Sequence, residues 1–197
     1  MAKKESNIVN MVVTLFLITA VAGLALGFVY NATKGPISES KQAKLEEAIS
    51  QVLPEFNKLD PADGTKVKAE NGTDSLTFYP AYKDDKHVGT AVRTYTDMGF
   101  SGRIWIMVGF LPDGTIKNTA VLEHKETPGL GDKMEADKDD FPNQFKDKNP
   151  ENFELSVTKD GGDVDAITAA TITSRAFCDA AERAYNTYMN QKNGGNE

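Results

Sequence analysis

The stretch Arg103 to His124, R-I-W-I-M-V-G-F-L-P-D-G-T-I-K-N-T-A-V-L-E-H, decides the fold. Two runs rich in β-branched and aromatic residues, Arg103 to Leu111 and Ile116 to His124, flank Pro112-Asp113-Gly114. Such side chains suit a pleated, half-buried strand. Between them, proline presets φ, aspartate bonds the backbone two residues on, and glycine accepts positive φ. The result is a tight reversal, and a tight reversal joins antiparallel strands, because parallel ones need a crossover of a dozen or more residues.

Upstream, Leu76 to Tyr82 and His87 to Tyr95 have the same composition and are bounded by Asp84-Asp85 and Met98-Gly99. Four consecutive strands without long crossovers predict an antiparallel sheet and an α+β domain. Residues 57–74 are polar, with Asp63-Gly64 and Asn71-Gly72 turn signals, and read as a loop or weak hairpin. Downstream, residues 132–152 are charged and contain Pro142 and Pro150, which predicts short helical turns and loop. After Phe153 to Thr158, the pattern predicts a helix from about Ser174 to Asn190, with Phe177, Ala180, Ala181, Ala184, Tyr185 and Tyr188 on its apolar face. Residues 191–197 read as a tail, and no internal repeat is present.

Toward the N-terminus, Ile8 to Tyr30 carries no charged residue over 23 positions. About 20 apolar residues suffice to cross a bilayer as a helix. Ala20-Val21-Ala22 also reads as a signal-peptidase site, but the apolar run continues for eight residues beyond it, which favours an uncleaved anchor. Lys3 and Lys4 precede the span while Lys34, Lys41 and Lys44 follow it, so the positive-inside count does not decide orientation. Large domains translocate largely regardless of charge, so the expected topology is a short inner tail and an outer domain. Gly23 and Gly27, extended by Thr19, offer a small-residue face to another membrane helix, although such residues are common in any span. Gly35-Pro36 is expected to break the helix, and Ser38 to Leu53 to form an amphipathic stalk, with Leu45, Ala48, Ile49 and Val52 on one face, that packs on the domain or on a neighbour. The expected layout is therefore a cytoplasmic tail (1–7), a membrane helix (8–30), a juxtamembrane stalk helix (31–54), an extracytoplasmic domain (55–190) and a tail (191–197).

Composition narrows the function. Without residues 1–30 the chain has 20 basic and 28 acidic residues, a formal charge of −8. An acidic surface repels nucleic-acid phosphates. With one cysteine, Cys178, and two histidines, His87 and His124, the chain cannot assemble an iron–sulfur or zinc site alone. No metal is expected, and any redox centre must be organic or shared with a partner. Cys178 lies inside the last helix pattern and reads as a small core residue.

Two short runs carry chemistry. Asp165 to Ser174, D-A-I-T-A-A-T-I-T-S, packs hydroxyl and small side chains just before a helix. A helix start presents unpaired N–H groups and the positive dipole end, which suits a phosphate; the same residues also make an ordinary N-cap. Glu126 to Gly131, E-T-P-G-L-G, is a rigid turn after a strand, able to close over a planar ring or an anion, or to be a plain strand-exit loop.

The first run resembles the D-x-x-(S/T)-G-A-T attachment signature of the FMN-binding domain family. Asp165, Thr168, Ala170 and Thr171 match it, and Ala169 stands where the family most often has glycine. If that glycine serves positive φ, alanine carries a cost; if it serves only close approach, alanine is tolerated. The segment from His124, H-K-E-T-P-G-L-G, is similar to a second signature of the family, and Gly99 to Ile104, G-F-S-G-R-I, to a third. With the anchor and the chain length, the resemblance extends to the G subunits of Rnf-type electron-transport complexes. The C subunits of sodium-translocating NADH:quinone reductases, generally longer, are the nearest alternative.

The resemblance implies FMN joined through its phosphate to Thr171, with the Thr168 and Thr173 hydroxyls and local N–H groups contacting the phosphate and Ala169, Ala170 and Asp165 around the attachment point. Ser101, Gly102, Thr127, Pro128, Gly129, Leu130 and Gly131 would line the ring, with Glu126 and Asp165 orienting the loops or assisting attachment. His124 reads as a strand-end residue in preference to a proton shuttle, since its neighbours in sequence supply no identifiable partner. By the same resemblance, the protein relays electrons in a complex of the bacterial cytoplasmic membrane that passes electrons between ferredoxin and NAD and moves Na+ or H+. It would bind neither substrate itself, would work with other membrane and redox subunits, and would receive its cofactor from a separate flavin transferase using FAD. Two other classes stay open: a membrane-anchored flavin-binding or sensory module without covalent cofactor, and a structural component acting through its helix and stalk.

Overall fold

The computed structural model describes residues 7–60, 64–69 and 72–194. Most of the expected inner tail, the turn residues Asp63 and Asn71, and residues 195–197 of the expected C-terminal tail lie outside these.

Among the described residues, six strands form one antiparallel sheet: β1 (Lys58–Leu59), β2 (Thr65–Lys68), β3 (Ser75–Lys83), β4 (Lys86–Thr96), β5 (Ile104–Phe110) and β6 (Ile116–Glu123). The order is β1-β3-β4-β5-β6, and β2 also pairs with β3. The four predicted strands are present to within a residue or two, and the domain is α+β as expected. In the hairpin between β5 and β6, Leu111 N–H reaches Thr115 O at 2.9 Å and Gly114 N–H reaches Leu111 O at 2.9 Å. Asp113 Oδ1 accepts Thr115 N–H at 2.9 Å, and Gly114 takes φ of 95°. The polar segment before β3, expected as a loop or weak hairpin, holds two short strands, β1 and β2, that pair with β3 and not with each other. The turn signals alone did not indicate that pairing.

Helix α1 (Ile8–Val52) runs without interruption, with Pro36 inside it. The expected break at Gly35-Pro36 is absent. A proline removes one intrahelical bond and crowds the carbonyl four residues back, but propagation on both sides is cooperative once a long helix has nucleated. Thr33 adds a local bond by donating its hydroxyl to Val29 O at 2.8 Å. The first half of α1 is long and apolar enough to cross a membrane, and its large side chains are exposed, Leu24 and Phe28 each at 76%.

Helix α2 (Thr171–Gly194) starts three residues before the expected Ser174 and ends four after the expected Asn190. The early start follows from Ser174, whose hydroxyl donates to Ala170 O at 3.0 Å while its N–H bonds the same carbonyl at 3.0 Å, drawing the Thr-rich run into the first turn. Three short 3-10 turns, Gly131–Met134, Phe141–Phe145 and Thr158–Asp160, occupy the irregular region between β6 and α2.

Two cores form on the domain. The larger joins Val92, Ile104, Ile106, Val108 and Phe110 of the sheet to Phe177, Ala180, Ala181 and Ala184 of α2, with Phe141, Phe145 and Met134 from the 3-10 turns. Small alanines at α2's inner face let the helix sit close, and Thr94 donates its hydroxyl to Ala180 O at 3.1 Å across that contact. The second core packs Ala48, Ile49, Val52 and Leu53 against Tyr79, Ala81, Ala91 and Met107, with Leu45 at its edge. All four residues of the predicted stalk face are used. Gly109 makes the approach of this turn feasible: a Cβ there would stand 1.9 Å from Val52 O.

Candidate functional site

Glu126 is the junction of the three signature segments. It is 5% exposed. Its Oε1 accepts the Ser101 N–H at 2.8 Å, and its Oε2 accepts the Thr173 hydroxyl at 2.5 Å. The turn at 99–102, the loop at 126–131 and the first turn of α2 are thus brought together by one carboxylate. A buried carboxylate is tolerated when donors replace its water, and here each oxygen has one.

The loop after Glu126 is closed by its own backbone. Leu130 N–H and Gly131 N–H both reach Thr127 O at 3.1 Å. Gly131 is required by space: a Cβ would lie 2.8 Å from both Glu126 Oε2 and Thr173 Oγ1. Pro128, Gly129 and Leu130 face outward. Below the loop, Glu126 N–H donates to His124 Nδ1 at 3.1 Å. That bond makes Nδ1 an acceptor, so the ring proton sits on Nε2 and points to Glu135 Oε1 at 2.9 Å. Lys138 bonds Glu135 Oε2 at 2.6 Å and Asp132 Oδ2 at 3.3 Å. Burial works against the Glu135 carboxylate, but the Lys138 and His124 contacts outweigh it and hold its pKa below the usual glutamate value. His124 therefore has a definite partner, one the sequence did not reveal.

Ile167 to Ala170 forms a tight turn closed by Ala170 N–H to Ile167 O at 3.0 Å, and Ala169 at its third position takes φ of 63°. A turn of this kind with positive φ at the third position is where glycine is favoured. The family glycine thus has a conformational reason, and alanine carries it at a cost. Ser174 Oγ also accepts Ile167 N–H at 2.9 Å, tying the turn to the helix. Gln144 holds the other side: its Oε1 accepts Asp165 N–H at 2.8 Å and its Nε2 donates to Asp165 O at 3.1 Å. Ser174 and Gln144 were not among the predicted site residues. Ser174 closes the Thr-rich run and could have been suspected; Gln144 lies in a segment with no periodic signal.

The threonines separate by position. Thr168 is exposed, Thr171 is the first residue of α2 and half-buried, and Thr173 is 2% exposed with its hydroxyl proton given to Glu126, so the expected contact of that hydroxyl with a phosphate is not available. The first amides of any helix lack intrahelical acceptors and face its positive dipole end. Thr171 therefore presents a hydroxyl beside a set of unpaired N–H donors, preceded by two small residues. Among the described residues after Lys44, the exposed large apolar side chains are Met98, Phe100, Leu130 and Ile172, and all four belong to or adjoin the three joined segments. Unpaired donors at a helix start suit a phosphate, and exposed apolar side chains on the joined segments suit a planar ring, so the residues present fit both parts of FMN. No cluster of three His, Cys, Asp or Glu able to hold a metal is present among the described residues.

A family model described as an FMN-binding domain matches residues 99–186, a span that contains all three segments. Proteins named as the G subunit of an ion-translocating oxidoreductase complex are similar over nearly the whole chain. The protein of Erwinia tasmaniensis is 38% identical over 186 residues, covering 87% of this chain and 85% of its own. The chain belongs to the family of these G subunits. The G subunit of Escherichia coli is 35% identical over 178 residues, 87% of this chain and 86% of its own. That of Methanosarcina acetivorans is 31% identical over 191 residues, 96% of this chain and 98% of its own.

Proposed function

We propose that this G-subunit homologue is the electron carrier of a membrane-bound ferredoxin:NAD oxidoreductase coupled to Na+ or H+ movement, with FMN joined by a phosphoester to Thr171. The observation that carries the reading is the placement of Thr171: it opens α2 directly after the Ala169 turn, and Glu126 ties that helix start to both other signature segments. When bound, flavin exchanges one or two electrons and so can join carriers of either habit.

The chain's own residues hold and shield. Thr171 supplies the linking oxygen, and the first amides of α2 with Thr168 meet the phosphate. Asp165, pinned through its main chain by Gln144, and the small residues Ala169 and Ala170 shape the approach. Ser101-Gly102 and Thr127 to Gly131 border the ring, with Leu130, Phe100 and Ile172 excluding water around it. Thr173 acts from beneath, through Glu126. A covalent link retains the cofactor on the outer face of the cytoplasmic membrane, where free flavin is scarce. That topology places the first half of α1 in the bilayer, the remaining chain outside, and other membrane and redox subunits around it. A separate flavin transferase using FAD makes the bond.

The test is peptide mass spectrometry on protein produced with a flavin transferase. Trypsin releases Asp160 to Arg175, and fragmentation is expected to place an FMN-sized addition on Thr171 alone. Thr171→Ala is expected to remove all flavin that survives denaturation while leaving the unfolding midpoint within a degree or two of wild type. Flavin retained on Thr171→Ala after denaturation, or an unmodified wild-type peptide, rejects the linkage.

A further inference from the structure

Glu126 has a second property beyond joining the segments. Its contacts span 25 residues to Ser101 and 47 to Thr173, and its main-chain N–H is held by His124, so the carboxylate is held by two donors and the backbone beneath it by a third contact. The Gly131 backbone packs against the Glu126–Thr173 pair so closely that no side chain fits there. Thr173 cannot offer its proton to an outside anion while it donates to Glu126, and at 2% exposure it does not reach one. Its position is two residues after Thr171, in the same helical turn.

We infer that Glu126 and Thr173 form a positioning clamp: the pair sets the helix start that carries Thr171 at a fixed place relative to the 99–102 turn and the 127–131 loop. This rests on the reading that FMN is attached at Thr171. A group linked at one end to a helix terminus keeps several rotatable bonds. Its ring is orientated only if the surface that receives it is held rigidly relative to the link, and supporting contacts around a site provide that rigidity. Thr173 and Glu126 touch neither the linking oxygen nor the outward face of the loops; they act through the backbone segments they join. His124 and Glu135 extend the clamp by fixing the main chain at Glu126.

The experiment uses the full chain produced with a flavin transferase, in wild-type form and as Thr173→Val, Thr173→Ser, Glu126→Ala and the Glu126→Ala/Thr173→Val double variant. Attachment is read by mass, and all optical signals are taken per attached flavin. Thr173→Val keeps the shape and loses the hydroxyl, so the fluorescence anisotropy of the attached flavin should fall about twofold and its visible circular dichroism should shrink, the signature of a loosened ring. Thr173→Ser restores the hydroxyl and should recover both signals. The double variant should be no worse than Glu126→Ala alone, because Glu126→Ala already removes the one contact that Thr173→Val breaks. A merely structural role predicts a lower unfolding midpoint with unchanged anisotropy and dichroism, and that result overturns the clamp. So does a Thr173→Ser protein as loosened as Thr173→Val. Should Glu126→Ala fail to fold, the two Thr173 variants decide alone. A wild-type chain without flavin on Thr171 instead rejects the underlying reading, and the mass measurement separates the two failures.

Discussion

At Ala169 the backbone explains a sequence departure. Its φ of 63° belongs to the left-handed region, which costs an L-residue with a Cβ roughly 1–2 kcal/mol. Glycine avoids that cost but loses more freedom on folding, an opposing term of about 0.4–1 kcal/mol. Ala169→Gly should therefore stabilise the domain by roughly 0.5–1 kcal/mol, a rise of a few degrees in thermal unfolding. An unchanged or lower midpoint would show that the turn has relaxed around alanine. The sequence identified this residue as the departure but offered two reasons for it, and only φ decides between them. The same limit applies to Thr168, Thr171 and Thr173, which look equivalent in a Thr-rich run. Moving the helix start from Ser174 to Thr171 assigns one to solvent, one to the helix opening and one to the core. His124 was opaque for another reason: its partner Glu135 lies 11 residues on, across a loop and a 3-10 turn where no period links them.

Among the elements, those built on local rules were legible. The β5–β6 hairpin follows from Pro112-Asp113-Gly114, and α2's apolar face from its spacing. The less legible features depend on distant neighbours. Pro36 reads locally as a stop, yet α1 continues through it to Val52, whose turn packs on the sheet. β1 and β2 exist because β3 offers them an edge. Two variants probe the contacts of the helices. Gly109→Ala places a methyl 1.9 Å from Val52 O and must push the end of α1 away, at a cost of about 1–3 kcal/mol or more in denaturant unfolding. A loss below a few tenths of a kcal/mol would mean that this turn of α1 yields freely. On α2, burial and then the neighbouring Glu182 and Asp160 charges push the Cys178 thiol up to about 12. Alkylation of the folded protein at pH 8 should be negligible and become rapid only on unfolding; fast native labelling would place the thiol outside the core.

For the molecule as a whole, acid is the expected weakness. Arg103 lowers the Asp97 pKa by hydrogen bonding, and Lys138 and His124 overcome burial to lower that of Glu135. A depressed folded pKa contributes stability above the ordinary carboxylate range, and the contribution is lost as pH falls through the folded value. Glu182 has the opposite sign: burial, then Glu154 and Asp179, raise its pKa, so protonation relieves a penalty. The lowered groups outnumber it, and the unfolding midpoint should drop between about pH 5 and pH 3. A midpoint that holds or rises across that window would give Glu182 the larger weight. The antiparallel run from β3 to β6 was readable from composition and turn residues alone. The division of the sheet between two separate cores was readable only in part: the spacing of Leu45, Ala48, Ile49 and Val52 marked a face to be buried, but a local pattern does not say whether the domain or a neighbour covers it.

That sharing dictates where the polypeptide can be severed. Leu45 to Leu53 belongs to the domain by packing although the backbone of its helix continues from the apolar segment that is long enough to cross a membrane. Cleavage between Pro36 and Lys44 would liberate a water-soluble fragment with its fold complete. Cleavage after Val52 would strip Tyr79, Ala81, Ala91 and Met107 of their cover and yield a sticky, aggregating remnant. The last two turns of α1 are thus a boundary that a protease, or an experimenter choosing a start codon, has to respect.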